Sequence, residues 1–134
     1  MENDDNMLNV GLAYEKTTVV DEKNIAKAVG SGNVEVFATP MMIALMEGAA
    51  AECIAPYLEE GQTSVGTEIS TTHLSATPVG MKVTAKAVVA EVNGKSVRFD
   101  ISAYDENGII GEGKHSRVIL NKQKFEEKAK SKLI

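Results

Sequence analysis

The sequence predicts an α+β domain in which a long antiparallel β-sheet wraps around one central α-helix. In the second half of the chain, apolar and polar residues alternate with a period of two and are divided by Asn-Gly pairs, as in strands joined by tight turns. In the first half, residues 39–57 are apolar on nearly all sides of a helical wheel, which is typical of a buried helix.

Composition limits the classes of protein to which the chain can belong. Its 134 residues suit a single domain over 1–134, and 43% hydrophobic with 25% charged residues is typical of a globular protein. A net charge of −5 disfavours nucleic-acid binding, which needs a basic face. No apolar run approaches the roughly 20 residues of a membrane span. With one cysteine and two histidines, we expect neither disulfides nor a metal site.

The first third of the chain is predicted to hold short elements. Residues 1–8 begin with acidic and amide side chains and lack the parts of a secretory signal, which predicts a disordered tail and a cytoplasmic protein. A short strand is expected over 14–20. A short helix capped by Asp21 is expected over 21–29, and the glycines of residues 30–33 end it.

The central helix is predicted from Thr39 to Tyr57. Thr39 can cap its N-terminus, Pro40 suits the first helical position, and Pro56 is expected to end or kink it. Its apolar residues recur at spacings of three and four: Met42, Leu45, Met46, Ala49, Ala50, Cys53, Ile54 and Tyr57. Because Cys53 lies within this stripe, we interpret it as a small hydrophobic residue rather than a nucleophile. The opposite side is also small or apolar, and its alanines and glycine let a sheet approach closely: Ile43, Ala44, Gly48, Ala51 and Ala55.

Four strands are predicted after the helix, over residues 63–74, 81–92, 97–104 and 109–120. The Asn-Gly pairs at 93–94 and 107–108 suit the two positive-φ positions of type I′ turns. Gly111 and Gly113 indicate a β-bulge in the last strand. The mixed charges of residues 122–134 predict a C-terminal helix on the protein surface.

Glu47 is the first candidate catalytic residue. It lies in the middle of the predicted helix among apolar neighbours, so we expect it to be desolvated. Burial of a carboxylate is costly unless the group is paired or its pKa rises, and such groups cluster at functional sites. A structural carboxylate that reaches solvent or a backbone amide fits the sequence equally well. Glu52, further along the helix, is interpreted as solvated.

His73 and Thr39 are the other candidates. His73 lies in a polar, β-branched strand and can serve as a general acid or base, or orient a carboxylate. A hydrogen-bonded structural histidine is the commoner alternative, and it applies more strongly to His115. Thr39 needs no role beyond capping, yet the amides and partial positive charge of a buried helix N-terminus suit an oxyanion.

Several segments resemble the fluoroacetyl-CoA thioesterase group of the hotdog superfamily, and the similarity runs from about residue 10 to the C-terminal helix. These segments are Glu35–Thr39, Met42–Glu47, Ala55–Glu59, Val65–Thr67, Thr72-His73, Ala76–Pro78 and Gly113–Arg117. The resemblance implies a hotdog fold, which is a long antiparallel sheet wrapped around a central helix. It also implies acyl-CoA as the substrate, no cofactor besides that CoA, and a homodimer or higher oligomer with active sites at the subunit interface.

By this resemblance, Thr39, Glu47 and His73 form the catalytic trio. Gly66 matches a glycine near the acyl group, and Phe37 and Arg117 lie in similar segments, so these three are candidate substrate-binding residues. We therefore predict an acyl-CoA thioesterase that hydrolyses a short acyl-CoA to the free acid and CoA. Glu47 either activates water or attacks the carbonyl, His73 either tunes that carboxylate or protonates the thiolate, and Thr39 is either an oxyanion donor or the nucleophile.

Two other functions stay open, namely a non-catalytic acyl-CoA-binding dimer and a hotdog enoyl-CoA hydratase or dehydratase. In the group's namesake, aromatic residues before the matching Val-Phe-Ala-Thr stretch form a lid over the acyl pocket. Residues 28–34 hold no aromatic residue here, so we do not predict a lid that selects fluoroacetyl-CoA, and the identity of the acyl group stays open. Several strand cations are candidates for the CoA phosphates, and Arg117 is the best of them because it lies in a similar segment.

Overall fold

The computed structural model describes residues 7–134 and has the architecture that the sequence predicts. Its elements are β1 (Ala13–Val19), α1 (Ala26–Val29), α2 (Thr39–Ile54), β2 (Gln62–His73), β3 (Lys82–Asn93), β4 (Ser96–Asp105), β5 (Gly108–Asn121) and α3 (Lys122–Lys130). The five strands form one antiparallel sheet in the order β1-β3-β4-β5-β2. A 3₁₀ turn over Ala55–Tyr57 extends α2, which lies against one face of the sheet.

The core lies between α2 and the inner face of the sheet. The helix contributes the predicted apolar stripe, of which Met42, Leu45, Met46, Ala49, Ala50, Cys53 and Ile54 are buried. The sheet contributes alternate residues of β3 and β4: Val83, Ala85, Ala87, Val89, Val97, Phe99, Ile101 and Ala103. Alanines on both surfaces keep the side chains short, so the sheet and the helix pack closely. The prediction of a buried central helix is therefore confirmed.

Two glycines of β5 permit the close approach of β2. A Cβ atom added at Gly113 would lie 2.0 Å from the carbonyl oxygen of Ser70, and one at Gly111 would lie 2.6 Å from that of Thr72. The register of β4 and β5 also shifts beside Gly111, which confirms the predicted bulge. These glycines therefore set the path of β2, the strand that carries His73.

We expect the substitution Gly113→Ala to lower the free energy of unfolding by about 1–3 kcal/mol, because the new methyl group overlaps backbone and forces β2 to move. Gly32→Ala is the matched control, since a Cβ there meets only the Cβ of Ala26 at an ordinary 3.6 Å. Urea unfolding of both variants measures the difference. Equal unfolding midpoints for the two variants would contradict the proposed constraint.

The turn type predicted for both Asn-Gly pairs is wrong. Among residues 7–134, only glycines have positive φ, whereas a type I′ turn needs it at two successive positions. Asn93 pairs with Ser96, so the loop is Gly94-Lys95, and Gly94 takes a φ of 62° as the first residue of a type II′ turn does. At the second pair only Gly108 has positive φ, at 145°. In both hairpins the glycine takes the conformation that is costly for other residues.

The helix predicted over residues 21–29 is also wrong in extent. Only Ala26–Val29 is helical, and its N-cap is the extended residue Ile25, which bridges to Phe37. The carboxylate of Asp21 accepts a hydrogen bond from the amide of Lys23 at 2.8 Å instead of capping a helix. A tertiary contact of Ile25 therefore replaces the first helical turns.

The two ends of the chain differ. Residues 1–6 of the predicted tail lie outside the described residues, while Leu8 already packs against the core. At the other end, α3 is exposed along its length, and the side chain of Asn121 caps it by accepting from the amide of Lys124 at 2.9 Å. No helix in the described part of the chain is long and apolar enough to cross a membrane.

Candidate active site

The hydroxyl of Thr39 contacts His73 instead of capping α2. Thr39 is the first residue of the helix, and Ala38 occupies the N-cap position. The Thr39 Oγ1 atom lies 2.7 Å from His73 Nδ1, at the end of β2. Pro40 has no amide hydrogen, and the amides of Met41 and Met42 donate to the Ala38 carbonyl. The capping prediction is therefore wrong, and the amides of Met41 and Met42 are already used within the helix.

His73 is half-buried and short of polar partners. Its Nε2 atom is buried and has no hydrogen-bond partner among the residues that the structure describes. Burial lowers the pKa of the His73 ring, and a backbone contact with Ser75 opposes this effect. The ring is therefore neutral at neutral pH, and its Nδ1 atom is within hydrogen-bond distance of the Thr39 hydroxyl.

The two histidines give folding stability a specific pH dependence. Burial lowers the pKa of both His73 and His115 below the ordinary 6.5. Below that pH the unfolded chain binds protons that the folded protein does not, so stability is lost as the pH falls. We expect the urea midpoint to decrease from pH 7.5 to 5.5, and to decrease less steeply in His73→Gln. A urea midpoint that rises as the pH falls from 7.5 to 5.5 would contradict the inference that both rings are neutral in the folded protein.

Thr39 and His73 line a cleft of about 310 Å³. Its other walls are mostly small or aliphatic and come from the segment after α1 and the end of β2: Ala26, Ser31, Gly32, Val34, Val36, Phe37, Leu74, Ser75 and Ala76. The predicted substrate-binding residue Phe37 is only 2% exposed and forms part of the cleft wall beside Thr39. The cleft can therefore take a small apolar group next to the Thr39 hydroxyl.

Glu47 lies at a second location, beside Gly66 of β2. A Cβ atom at Gly66 would lie 3.0 Å from Glu47 Oε2, 3.1 Å from His115 Cε1 and 3.4 Å from Arg117 Nη1. The absent side chain leaves the space into which the carboxylate and the guanidinium reach. Glu47 is half-buried.

Arg117 faces inward from β5 and is 8% exposed. Its Nε and Nη2 atoms donate to the hydroxyl and carbonyl oxygens of Ser64, each at 2.9 Å, and its Nη1 atom lies 3.2 Å from His115 Nε2. Burial lowers the pKa of the guanidinium, and the charge of Glu47 raises it. This buried position does not suit contact with the CoA phosphates. Arg117 stays a predicted substrate-binding residue.

The predicted residues thus form two groups within one chain. Thr39 and His73, with Phe37, lie at the N-terminal end of α2, whereas Glu47 lies with Gly66 and Arg117. Thr39 and Glu47 are eight residues apart on α2, which is about 12 Å along the helix axis. The side chain of Glu47 does not bridge that distance, so the trio does not come together within one chain.

Two residues have contacts that the sequence did not predict. His115 is buried against Gly66 and Arg117, and its one signal was its place two residues before Arg117, on the same face of a strand. Glu52 is not simply solvated, because it accepts hydrogen bonds from Lys16 and, at 3.0 Å, from Tyr14. Hydrogen bonding from Lys16 lowers the pKa of Glu52. This carboxylate joins α2 to the edge strand β1 and has no contact with the candidate site.

Other features lie away from this site. A hollow of about 420 Å³ on the outer face of the sheet is lined mostly by polar and charged residues; it includes two of the strand cations, Lys86 and Lys114, but none of the predicted catalytic residues. Burial raises the pKa of the Cys53 thiol, which suits its interpretation as a hydrophobic residue. Within residues 7–134, no group of three or more His, Cys, Asp or Glu side chains is placed to hold a metal ion.

Comparison with known proteins identifies the family. The model of the family FlK, described as fluoroacetyl-CoA-specific thioesterase, matches residues 20–123, a range that includes both groups of site residues. The chain belongs to the FlK family. This FlK-family chain is 44% identical over 98 residues to the fluoroacetyl-CoA thioesterase of Streptantibioticus cattleyicolor, covering 73% of this chain and 70% of that protein. The predicted family and the predicted activity, hydrolysis of an acyl-CoA thioester, are confirmed.

Solved structures confirm the hotdog fold of this FlK-family chain. The crystal structure of FlK superposes with a TM-score of 0.88 at 36% identity, covering 93% of this chain and 97% of that one. A thioesterase superfamily member from Thermus thermophilus gives 0.85 at 33% identity, covering 92% and 91%. Variants of FlK have been solved with fluoroacetate and CoA and with acetyl-CoA.

Proposed function

We propose that this FlK-family thioesterase hydrolyses small acyl-CoA thioesters at a site that two copies of the chain complete together. The division of the predicted residues into two groups supports this proposal most directly. Thr39 and His73 form one half-site, and Glu47, Gly66 and Arg117 form the other. In a two-fold symmetric dimer each half-site meets the complementary half-site of the partner, which yields two equivalent active sites.

The open edge of β2 supports a second copy as the partner. Within the described residues this strand of 12 residues pairs only with β5, so its other side presents unpaired backbone groups. Edge strands are usually protected by proline or lysine, but β2 contains neither and has Glu68 as its single carboxylate. Pairing of β2 with the β2 strand of a second copy gives these backbone groups hydrogen-bond partners. The same strand carries His73 and Gly66, one residue from each half-site.

The proposed chemistry starts at Glu47. Its carboxylate removes a proton from water while the water oxygen bonds to the thioester carbonyl carbon. His73 donates from Nδ1 to Thr39 Oγ1, and the Thr39 hydroxyl donates to the developing oxyanion. The carbon–sulfur bond then breaks, and the thiolate of CoA takes the proton held by Glu47. The products are the free acid and CoA, and Glu47 returns to its starting state.

Direct attack by Glu47 is the competing first step and forms a mixed anhydride that water then opens. Repeated turnover in ¹⁸O-labelled water detects an anhydride that water opens at the glutamate carbonyl. If water opens the anhydride at the glutamate carbonyl, ¹⁸O enters the Glu47 carboxylate; with Glu47 as base, the label enters only the product acid. We expect an unlabelled Glu47 peptide by mass spectrometry. A labelled Glu47 peptide would mean that Glu47 attacks the carbonyl directly, while the location of the active site would be unchanged.

The dimensions of the site favour a small acyl group. The cleft beside Thr39 has a volume of about 310 Å³, and Gly66 offers no side chain to the acyl group. Residues 28–34 supply no aromatic lid. We therefore propose hydrolysis of short acyl-CoA esters without strong preference for fluoroacetyl over acetyl. The proposed setting is the cytoplasm, where CoA esters are available.

A panel of acetyl-, fluoroacetyl-, butyryl- and crotonyl-CoA tests the proposal when free thiol and enoyl absorbance are followed together. We expect thiol release from the saturated short esters. Loss of enoyl absorbance without thiol would identify a hydratase. Saturable thermal stabilisation by the esters without turnover would identify a binding protein. Either of these two results would overturn the proposed reaction.

A further inference from the structure

His115 is a buried residue whose two ring nitrogens both have partners. It is 2% exposed, and its ring stacks on Phe99 with the centroids 6.0 Å apart. Its Nδ1 atom lies 2.8 Å from the carbonyl oxygen of Glu68, and its Nε2 atom lies 3.2 Å from Arg117 Nη1. The ring therefore connects the backbone of β2 to the guanidinium beside Gly66.

These partners fix the position of the ring proton. A carbonyl oxygen only accepts hydrogen bonds, so the proton of His115 is on Nδ1 and is donated to Glu68. A guanidinium only donates, so Nε2 is unprotonated and accepts from Arg117. Burial and the nearby Arg117 lower the pKa of His115, while Glu47 and the bond to Glu68 raise it. The ring must stay neutral to keep the bond to Arg117.

These hydrogen bonds fix the orientation of the Arg117 guanidinium. A guanidinium has five N–H groups, and here three of them are used by Ser64 and His115. The Nη1 atom keeps one further N–H, and this atom lies 3.4 Å from the position of a Cβ at Gly66. Glu47 Oε2 lies 3.0 Å from the same position. The free N–H is thus held at the space that the acyl carbonyl enters in the proposed reaction.

We propose that His115 is a positioning residue for thioester hydrolysis, which acts by holding Arg117 Nη1 beside Gly66. The inference rests on the proposed function. Without the Nε2 acceptor, the guanidinium is free to turn and pair with Glu47. A paired carboxylate is a weaker base, so the chemical step slows although the substrate still binds.

Two amide variants separate this role from a merely structural one. In His115→Gln, the amide oxygen can take the place of Nε2 and accept from Arg117. In His115→Asn, the shorter side chain can still donate to Glu68 but does not reach Arg117. We expect kcat near that of the native protein for H115Q and a decrease of about ten- to a hundredfold for H115N, the scale of one lost hydrogen bond to a charged group. KM is expected to change little in both.

The NMR signals of the His115 ring nitrogens in the native protein test the geometry without any substrate. We expect a protonated Nδ1 and an unprotonated Nε2. Protonation at Nε2 would overturn the proposal, and this result does not depend on whether H115N folds. Equal kcat values for folded H115Q and folded H115N would also overturn it. If the native protein releases no thiol, the proposed function fails, while the ring tautomer still decides whether His115 holds Arg117.

Discussion

Replacing Glu47 with glutamine is expected to lower kcat for acetyl-CoA by about 10²–10⁴-fold, the range usual for loss of a general base. Glutamine has nearly the same shape as glutamate but does not accept a proton from water. Glu47 is half-buried beside Gly66, so the amide fits in the same space and the fold is expected to survive. Steady-state thiol release measures the rate, and thermal unfolding followed by circular dichroism measures the fold.

Glu52→Gln is the matched control for this prediction. Glu52 lies on the same helix, five residues further on, and its partners are Tyr14 and Lys16 of β1. Its substitution is expected to leave kcat unchanged and to lower stability slightly, because the ion pair with Lys16 is partly exposed. If Glu47→Gln turns over like Glu52→Gln, the carboxylate beside Gly66 has no part in the reaction.

The sequence predicts those elements whose pattern repeats along the chain. The apolar stripe of α2 and the alternation in β4 each extend over many residues, so a single exception does not hide them. The glycines of β5 mark a close approach of backbones, and this constraint is also visible in the residue type alone. Fold class and the course of the sheet follow from these signals.

Local signals were less reliable where a distant residue competes. Thr39 is a good capping residue, but its hydroxyl bonds to His73, which is 34 positions away in the sequence. Asp21 likewise has the residue type of a helix cap, yet Ile25 bridges to Phe37 and the helix begins only after it. In both cases a tertiary contact outweighs the intrinsic preference of a short segment.

The division of the site was not visible in the sequence for a geometric reason. Spacing along the chain places Thr39 and Glu47 on one helix, but it does not say whether a third residue meets both of them. In the fold, His73 reaches only Thr39, because Gly66, the neighbour of Glu47, lies seven positions before His73 along the same strand. Extended strand residues advance about 3.3 Å each, so these two positions are far apart.

Mixing two inactive variants is expected to restore activity. A site built from Thr39 and His73 of one subunit and Glu47 of the partner subunit is lost in the homodimers of Glu47→Gln and of His73→Gln. A heterodimer of the two variants has one site with both substitutions and one site with neither. Random assembly of equal amounts makes half of the dimers heterodimers, so about a quarter of the native activity is expected to return.

Co-refolding of differently tagged E47Q and H73Q chains, followed by purification through both tags, isolates the heterodimer for this measurement. The control pairs E47Q with the double variant E47Q/H73Q, because that heterodimer contains no intact site and should stay inactive. A site completed within one subunit would behave differently, since each subunit of the E47Q–H73Q heterodimer carries one defect. Activity at the level of the control would therefore rule out a shared site, whereas recovery requires that Glu47 and His73 act from opposite subunits.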